Sequence, residues 1–229
     1  MTHKIEVAKI HTTAKLLEVL EVRRGCYEEA GKTPPDDKED WENLTRENFH
    51  VLGFYLDHHI IASVVINIPK QCYQWLPVHN LLPKPHKAIE VAKLFIVPKH
   101  RNFNVQLCIF REVHRLLRLN SRDHIVISSD KRLSILYRRM NFRSTGVTLM
   151  KNQLNAVSEL EVMVAKHRHL GIYGLIDGPL KWFIFMKPII DDLTSSGKLK
   201  LSLTERVHYR FYNRIGKIVF RNNEGILWN

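Results

Sequence analysis

The sequence lacks the segments that would place it in or across a membrane. None of its apolar runs reaches the roughly 18–20 consecutive residues that a spanning helix needs. Residues 1–15, MTHKIEVAKIHTTAK, also lack the apolar core of a secretory signal peptide. Apolar residues make up 45% of the chain and charged residues 25%, which is the balance of an ordinary globular protein. We therefore expect a cytoplasmic protein.

Cysteine is scarce, and its pattern excludes two common kinds of site. The three cysteines, Cys26, Cys72 and Cys108, are widely spaced and odd in number, and they form no CxxC pair. Such a pattern supports neither a disulfide framework nor a zinc site. The histidines lack a matching cluster of cysteines or carboxylates, so we expect no metal site. Cys72 and Cys108 are interpreted as small core residues.

Positive charge is in excess. Lysine and arginine number 35 against 23 acidic residues, which gives a net charge of +12. Such an excess indicates the kind of partner and not the fold, and the candidates are nucleic acid, an anionic membrane surface, a phosphorylated cofactor or an acidic protein. Nothing in the sequence matches a groove-reading or base-stacking motif, so no nucleic-acid partner is expected. Peripheral contact with a membrane stays open.

Two rows of basic residues follow helical spacing. A row of this kind is usually a solvated helix face. Two such rows on one chain nevertheless favour an anionic partner surface. The rows are Arg111, Arg115, Arg118 and Arg122, and Arg206, Arg210, Arg214 and Lys217.

Apolar periodicity predicts the order strand, helix, hairpin, strand, helix, strand, helix, strand, strand. The predicted strands are 4–10, 51–56, 60–68, 89–97, 124–129, 145–150 and 159–167, and helices are predicted after Thr12 or Thr13 and at 104–119 and 130–142. Either threonine can cap the first helix. That helix is expected to turn five apolar side chains inward, namely Leu16, Leu17, Val19, Leu20 and Tyr27.

This order predicts an α/β (α+β) fold with a mixed, mostly antiparallel central sheet flanked by helices and a parallel pair in its middle. We assign residues 1–169 to this domain and residues 170–229 to a helical C-terminal extension that packs on it. A helix is predicted at 203–220. Three aromatic residues of the extension, Trp182, Phe183 and Phe185, either cover the mouth of a tunnel or complete the core.

The stretch AIEVAKLFIVPKHRNFNVQLCIFREV, residues 88–113, places Glu90 and Lys93 in an apolar strand that turns through a basic corner into a helix. Together with strand 124–129 and the sequence LYRRMNF, it resembles the GNAT acyltransferase superfamily over residues 4–165. In that fold the strand before the corner splays from its parallel neighbour. The acyl thioester enters the gap, and the helix N-terminus faces the cofactor phosphates.

The corner departs from the usual acetyl-CoA motif of that superfamily, Arg/Gln-x-x-Gly-x-Gly/Ala. Arg101 matches, but Asn104 and Gln106 occupy the two small positions. Glycines let a pyrophosphate approach the backbone closely, so side chains there should crowd it. A carrier protein presents only one phosphate on its pantetheine, and it is acidic, which suits the net charge.

Within the superfamily the chain resembles N-acyl amino acid synthases and acyl-homoserine-lactone synthases. Their first-helix motif Arg-x-x-x-Phe/Tyr is matched by Arg23 and Tyr27, and their strand motif Glu-x-Ser/Ala-Arg by Glu90-Val91-Ala92-Lys93. Lactone synthases usually carry arginine where this chain has Val64-Val65-Ile66. They also keep a tryptophan after the first motif that is missing here. Both departures favour the amino-acid branch.

The resemblance implies an N-acyltransferase that moves a long-chain acyl group from acyl carrier protein to an amino acid. No permanently bound cofactor is expected, because acyl-phosphopantetheine or acyl-CoA is the donor substrate. Glu90 is the expected general base, since burial raises the pKa of a carboxyl group. Tyr137 is the expected acid for the leaving thiolate. The structural alternatives are a solvent-facing Glu90 and a Tyr137 that only covers the core.

The remaining site residues are assigned in the same way. Lys93 and Arg23 are expected to bind the acceptor, although Arg23 is equally an ion-pair candidate for the acidic loop. Because Glu90 and Lys93 are three residues apart, only a β-bulge would bring them to one face. The oxyanion and pantetheine are expected at backbone groups of Phe95, Ile96 and Val97, and the phosphate at Arg101, Asn104 and Val105.

Three other functions stay open. A lactone-signal synthase would use S-adenosylmethionine, and a plain N-acetyltransferase would use acetyl-CoA despite the crowded corner. The third alternative is a basic binding module for nucleic acid or membrane on an inactive GNAT-like fold. Loss of activity in a Glu90→Gln variant with intact fold would separate the enzymes from the binding module.

Overall fold

The computed structural model of the chain describes residues 5–34, 37–43, 46–76, 80–139, 141–153, 156–166 and 187–219. The predicted boundary at residues 169 and 170 and the aromatic group Trp182, Phe183 and Phe185 lie outside these residues. No helix in these ranges is both long and apolar enough to cross a membrane.

Seven strands form one sheet in the order β1-β2-β3-β4-β5-β7-β6. Every neighbouring pair is antiparallel except β4 and β5, which are parallel. This confirms the predicted mixed sheet with its central parallel pair. The strands are β1 (Glu6–Lys9), β2 (Phe49–Leu56), β3 (His59–Asn67), β4 (Ala88–Ile96), β5 (His124–Asp130), β6 (Arg143–Gln153) and β7 (Ala156–Lys166).

Six α-helices accompany the sheet in the described residues. They are α1 (Thr13–Glu29), α2 (Lys38–Asn43), α3 (Phe103–Leu119), α4 (Lys131–Arg139), α5 (Lys187–Ser195) and α6 (Leu203–Val219). Short 3₁₀ turns at Pro85–Lys87 and Pro98–His100 precede β4 and α3. Thr12 caps α1 by accepting a hydrogen bond from the Lys15 N–H at 3.4 Å, which resolves the choice between Thr12 and Thr13.

The two faces of the sheet carry separate apolar clusters. On β2, Val51 packs with residues of α1, whereas the next residue, Leu52, packs with residues of α3. Because successive strand residues point to opposite faces, α1 and α3 cover opposite sides of the sheet. Leu16 is buried as predicted, but Leu17 is exposed, so its predicted inward position is wrong.

The β2–β3 connection is a tight hairpin turn formed by Asp57 and His58. Both residues have positive φ, 49° and 67°, which is the backbone that a two-residue type I′ turn requires. The predicted hairpin is therefore confirmed without the asparagine and glycine that usually form this turn. Of the two cysteines assigned to the core, Cys108 is partly buried, but Cys72 is exposed, which contradicts that assignment.

The basic row on α3 contacts the C-terminal helices. Arg115 Nε donates to Asp192 of α5 at 3.1 Å, and Arg118 donates to Glu205 of α6 at 2.6 Å. Part of the row that could have been a solvated face thus forms ion pairs with acidic residues of the chain's own last helices.

Candidate active site

The central parallel pair separates halfway along its length. β4 and β5 pair only from Ala88 with His124 to Val91 with Ile127, although β4 continues to Ile96 and β5 to Asp130. Beyond the last pair, β4 stays with β3 and β5 stays with β7. A gap therefore opens between the carboxyl ends of the two central strands.

A β-bulge lies where β4 leaves its partner. Ser63 pairs with Phe95 and Val65 with Ala92, so Lys93 and Leu94 both face the single residue Val64. Lys93 has φ of 51°, in the left-handed region. A bulge of this kind redirects side chains, and it is the feature expected from the odd spacing of Glu90 and Lys93.

Glu90 is buried, with 1% of its surface exposed. Its Oε1 accepts the Trp75 N–H at 2.8 Å, and its Oε2 accepts the Gln74 N–H at 2.8 Å and the Asn67 side-chain amide at 2.9 Å. Asn67 in turn accepts from the Asn48 side-chain amide at 2.9 Å. Glu90 thus joins β4 to the end of β3 and to the segment that follows β3, and it is not solvent-facing.

The Trp75 ring connects Glu90 with the bulge. The Lys93 ammonium lies 5.9 Å from the centre of the Trp75 ring. The backbone N–H of the same tryptophan donates to Glu90. The ring also packs edge-on against Phe49 at 5.6 Å between centroids. The structure therefore brings Glu90 and Lys93, the two charges of the β4 motif, beside the same tryptophan.

The hydrogen bonds give Glu90 a positioning role. The Trp75 and Gln74 N–H groups and the Asn67 amide are all donors, and Glu90 serves each of them as the acceptor. Removing the acceptor would free the backbone of residues 74 and 75. The role of Glu90 as general base stays a prediction.

Three interactions place the second half of α1 near the carboxyl ends of β4 and β5. Lys32, just after α1, forms an ion pair at 3.5 Å with Asp130 at the end of β5. Burial and, second to it, the nearby Tyr27 raise the pKa of Tyr137 in α4. Burial raises the pKa of the Cys26 thiol, and the nearby Arg101, in the corner after β4, opposes this shift. The first-helix motif and the corner are therefore neighbours in space.

Tyr137 packs against Phe110 and Phe142, with ring centroids 6.4 and 5.5 Å away. Burial, followed by the neighbouring Tyr27, raises the pKa of Tyr137 to about 12. The phenol is therefore protonated at neutral pH, which is the form that a proton donor requires. Its packing also matches the structural alternative, a residue that covers the core, so the catalytic role stays a prediction.

Arg23 is buried in α1 and donates to Asp37 Oδ1 at 2.7 Å, and Arg24 reaches the other oxygen of the same carboxylate at 3.1 Å. This is the ion pair with the acidic loop that the sequence left open. Binding of the acceptor by Arg23 stays a prediction.

The backbone N–H groups of β4 point alternately toward β3 and toward the gap that faces β5. The Val97 N–H donates to the Ile61 carbonyl oxygen at 2.9 Å, so it faces β3 and is already engaged. Because successive N–H groups of a strand alternate in direction, Phe95 also faces β3, and Ile96 faces the gap. Of the three predicted residues, Ile96 is therefore the candidate oxyanion donor, and binding of the oxyanion and pantetheine by this group stays a prediction.

The corner between β4 and α3 is held by two side chains. Arg101 Nε donates to the Ile96 carbonyl oxygen at 3.1 Å, and Asn102 caps α3 by accepting the Val105 N–H at 3.1 Å. The Val105 amide would have to exchange this cap for a phosphate oxygen. Asn104 is exposed at the first turn. Binding of a phosphate by Arg101, Asn104 and Val105 stays a prediction.

The sequence interpretation missed Asn48, Asn67 and Trp75. Asn67 had a signal, because it ends the apolar run IIASVVIN with a polar residue that is buried. Trp75 lies in an irregular segment whose pattern gives no indication of its position.

No family model matches this sequence, and no curated protein matches it either. Solved structures do. The N-acyl amino acid synthase FeeM from uncultured soil microbes matches with a TM-score of 0.59 at 13% identity, over 77% of this chain and 97% of FeeM.

Two acetyltransferase structures are also similar. A GNAT-family acetyltransferase from Streptococcus pneumoniae has a TM-score of 0.53 at 12% identity, over 71% of this chain and 99% of its own. The putative acetyltransferase yncA from Salmonella typhimurium, solved with its cofactor acetyl-CoA, has a TM-score of 0.52 at 11% identity, over 71% and 94% of the two chains. With its separated central strands, the chain has the GNAT fold.

Proposed function

We propose that the chain is an N-acyltransferase that moves a long-chain acyl group from acyl carrier protein to the amine of an amino acid. The observation that carries this proposal is the gap between β4 and β5, which opens after Val91, the residue that follows the buried Glu90. A gap between strands exposes backbone N–H groups, and such groups can stabilise the oxyanion of an acyl-transfer intermediate.

The proposed reaction proceeds through a tetrahedral intermediate. The nitrogen of the neutral amine attacks the thioester carbonyl carbon, and Glu90, directly or through a water molecule, takes the proton that this nitrogen loses as the C–N bond forms. The Ile96 N–H stabilises the oxyanion that forms. The C–S bond breaks as the carbonyl reforms, and Tyr137 donates a proton to the leaving thiolate.

Positive charge on the chain supports the proposed sites for the amino acid and for the acyl donor. Lys93 and Arg23 are proposed to hold the carboxylate of the amino acid. Support for an amino-acid acceptor comes from FeeM, which is an N-acyl amino acid synthase. Support for a carrier-protein donor comes from Asn104 and Gln106 at the small positions of the corner and from the net charge of +12.

The direct test incubates the protein with acyl carrier protein thioesters of several chain lengths and a pool of amino acids, and detects products by mass. We expect N-acyl amino acids. Parallel reactions contain acetyl-CoA, long-chain acyl-CoA, or S-adenosylmethionine with the acyl carrier protein. Product only with acetyl-CoA would indicate an N-acetyltransferase, and a lactone product would indicate a signal synthase. Absence of an acyl-amide product from every reaction would refute the proposal that the chain is an N-acyltransferase.

A Tyr137→Phe variant tests the proton donor. Since the ring keeps its contacts with Phe110 and Phe142, we expect an unchanged fold and kcat lower by about 100-fold, as for loss of a general acid. The matched control is Tyr209→Phe in α6, a tyrosine outside the site. Equal kcat in the Tyr137→Phe variant and the wild type would contradict the role.

A further inference from the structure

The last described helix, α6, presents apolar side chains to the outside. Leu203, Val207 and Phe211 are 79%, 59% and 55% exposed. They are spaced four residues apart and so form one stripe along the helix. Three exposed arginines lie beside this stripe on the same outer half of the helix, namely Arg206, Arg210 and Arg214.

Two polar side chains attach α6 to its neighbours. Glu205 accepts from Arg118 of α3 at 2.6 Å, and the Tyr209 hydroxyl donates to Asp191 of α5 at 2.5 Å. The preceding helix α5 has the ordinary arrangement, with Ile189 and Leu193 buried. On α6, by contrast, Leu203, Val207 and Phe211 are exposed while Glu205 and Tyr209 contact the protein.

We propose that the outer half of α6 binds an anionic lipid surface. A helix that lies in a membrane interface buries an apolar stripe among the acyl chains while basic side chains contact lipid phosphates. In α6 the stripe Leu203, Val207 and Phe211 supplies the apolar part, and Arg206, Arg210 and Arg214 supply the charges. The excess positive charge of the whole chain acts in the same direction.

The position of α6 favours lipid over an acidic carrier protein. On the proposed function, a carrier places its pantetheine phosphate, to which it is directly joined, at the corner that precedes α3, next to Val105. The ion pair between Arg118 and Glu205 fixes the first turns of α6 near the other end of α3, roughly 20 Å away along the helix axis at about 1.5 Å per residue. A carrier docked on these turns would lie far from the corner.

The test is flotation of the full chain with vesicles. Vesicles of phosphatidylcholine alone are compared with vesicles of phosphatidylcholine mixed with phosphatidylglycerol. We expect binding to the mixed vesicles, and we expect added salt to weaken it because the arginine contacts are screened. Failure to bind the mixed vesicles at low salt would overturn the proposal.

Two variants assign the binding to α6. Arg206→Gln/Arg210→Gln/Arg214→Gln is expected to weaken partitioning about 100-fold, since each basic residue near an anionic surface contributes about fivefold. Val207→Ser/Phe211→Ser is expected to abolish flotation by removing most of the stripe. Each variant has a matched control elsewhere on the surface, Lys70→Gln/Lys84→Gln/Arg132→Gln for charge and Leu133→Ser/Ile135→Ser for apolar area.

Two outcomes would contradict the assignment even if the wild type floats. If the charge control weakens binding as much as the α6 arginine variant, net charge alone explains the binding. If the α6 variants float normally but lose affinity for acyl carrier protein, the surface is a protein-docking site. Circular dichroism of every variant verifies the fold, and the vesicle readout is independent of acyltransferase activity.

Discussion

Two glutamates hold distant segments of the chain in place, and they do so in different surroundings. Glu90 is 1% exposed and fixes residues 74 and 75 through neutral donors, two of which are backbone N–H groups. Glu205 is 36% exposed and fixes α6 to α3 through Arg118. It also forms a capping box with Ser202, which accepts from the Glu205 N–H and donates its own N–H to the carboxylate.

The difference shows when the same substitution is considered at both sites. Glutamine at 205 can keep the capping box and loses only the charge. Glutamine at 90 must place an NH₂ group against a donor, because Trp75 occupies one oxygen and Gln74 with Asn67 occupies the other. The stability contributed by Glu90 therefore depends on two oxygens that accept hydrogen bonds, whereas the stability contributed by Glu205 depends on its negative charge.

The largest loss in free energy of unfolding is expected from Glu90→Gln. At least one buried donor loses its acceptor in a site that is 1% exposed, so we expect a destabilisation of about 3 kcal/mol, the upper end for a buried unsatisfied group. Urea unfolding at neutral pH measures it. Activity is also expected to fall, so the variant cannot by itself separate a catalytic Glu90 from a positioning one.

Two results would change this comparison. A stability loss below about 1 kcal/mol would mean that the buried donors find other acceptors. An active Glu90→Gln variant would exclude Glu90 as the base, because a glutamine amide does not accept a proton at neutral pH. Residual activity is measured at a temperature where the variant is fully folded, so that unfolding is not mistaken for loss of the base.

A smaller effect is expected from Asn67→Ala. This change removes one donor to Glu90 and leaves the Asn48 amide without its acceptor, so we expect a loss of about 2 kcal/mol. Asn48→Ala is the matched control, because it removes only the outer hydrogen bond and should cost about 1 kcal/mol. Urea unfolding of both variants gives the ranking. An equal cost would contradict the idea that the network centres on Glu90.

The sheet and most helices could be predicted because their apolar residues repeat with periods of two or 3.6. The same patterns do not show which side chains of a helix pack against the rest of the protein. Leu17 fits the helical period of α1 as well as Leu16 does, yet it is exposed. On α6 the period places Leu203, Val207 and Phe211 in one stripe, but it does not show that this stripe is exposed while Glu205 and Tyr209 contact α3 and α5.

The site was harder to predict than the fold. Glu90 stood out as a charge in an apolar strand, and the bulge at Lys93 followed from the odd spacing of the two residues. The groups that bind Glu90 could not be predicted, because two of them are backbone N–H groups in an irregular segment. Backbone donors carry no sequence signal, and Asn67 is 23 residues away along the chain.

The smallest effect is expected from Glu205→Gln, and it should depend on pH. Burial alone would raise the pKa of Glu205, but hydrogen bonds from Ser202 and Arg118 outweigh it and lower the pKa to about 2. Because the pKa is lower in the folded protein, the charged carboxylate stabilises the fold above about pH 4.5, and this contribution disappears as the pH falls from about 4.5 to about 2. The variant should cost less than about 1 kcal/mol at pH 7, as an exposed ion pair does.

Urea unfolding of wild type and variant at pH 7 and near pH 3 measures this dependence. The difference between their free energies of unfolding should be smaller at the lower pH. A double-mutant cycle with Arg118→Gln isolates the ion pair from the capping box. A cost at pH 7 as large as that of Glu90→Gln would show that α6 is held as firmly as the buried segment. We expect the small cost, because the pair with Arg118 is partly exposed and the Tyr209 hydroxyl also holds α6 by donating to Asp191 of α5.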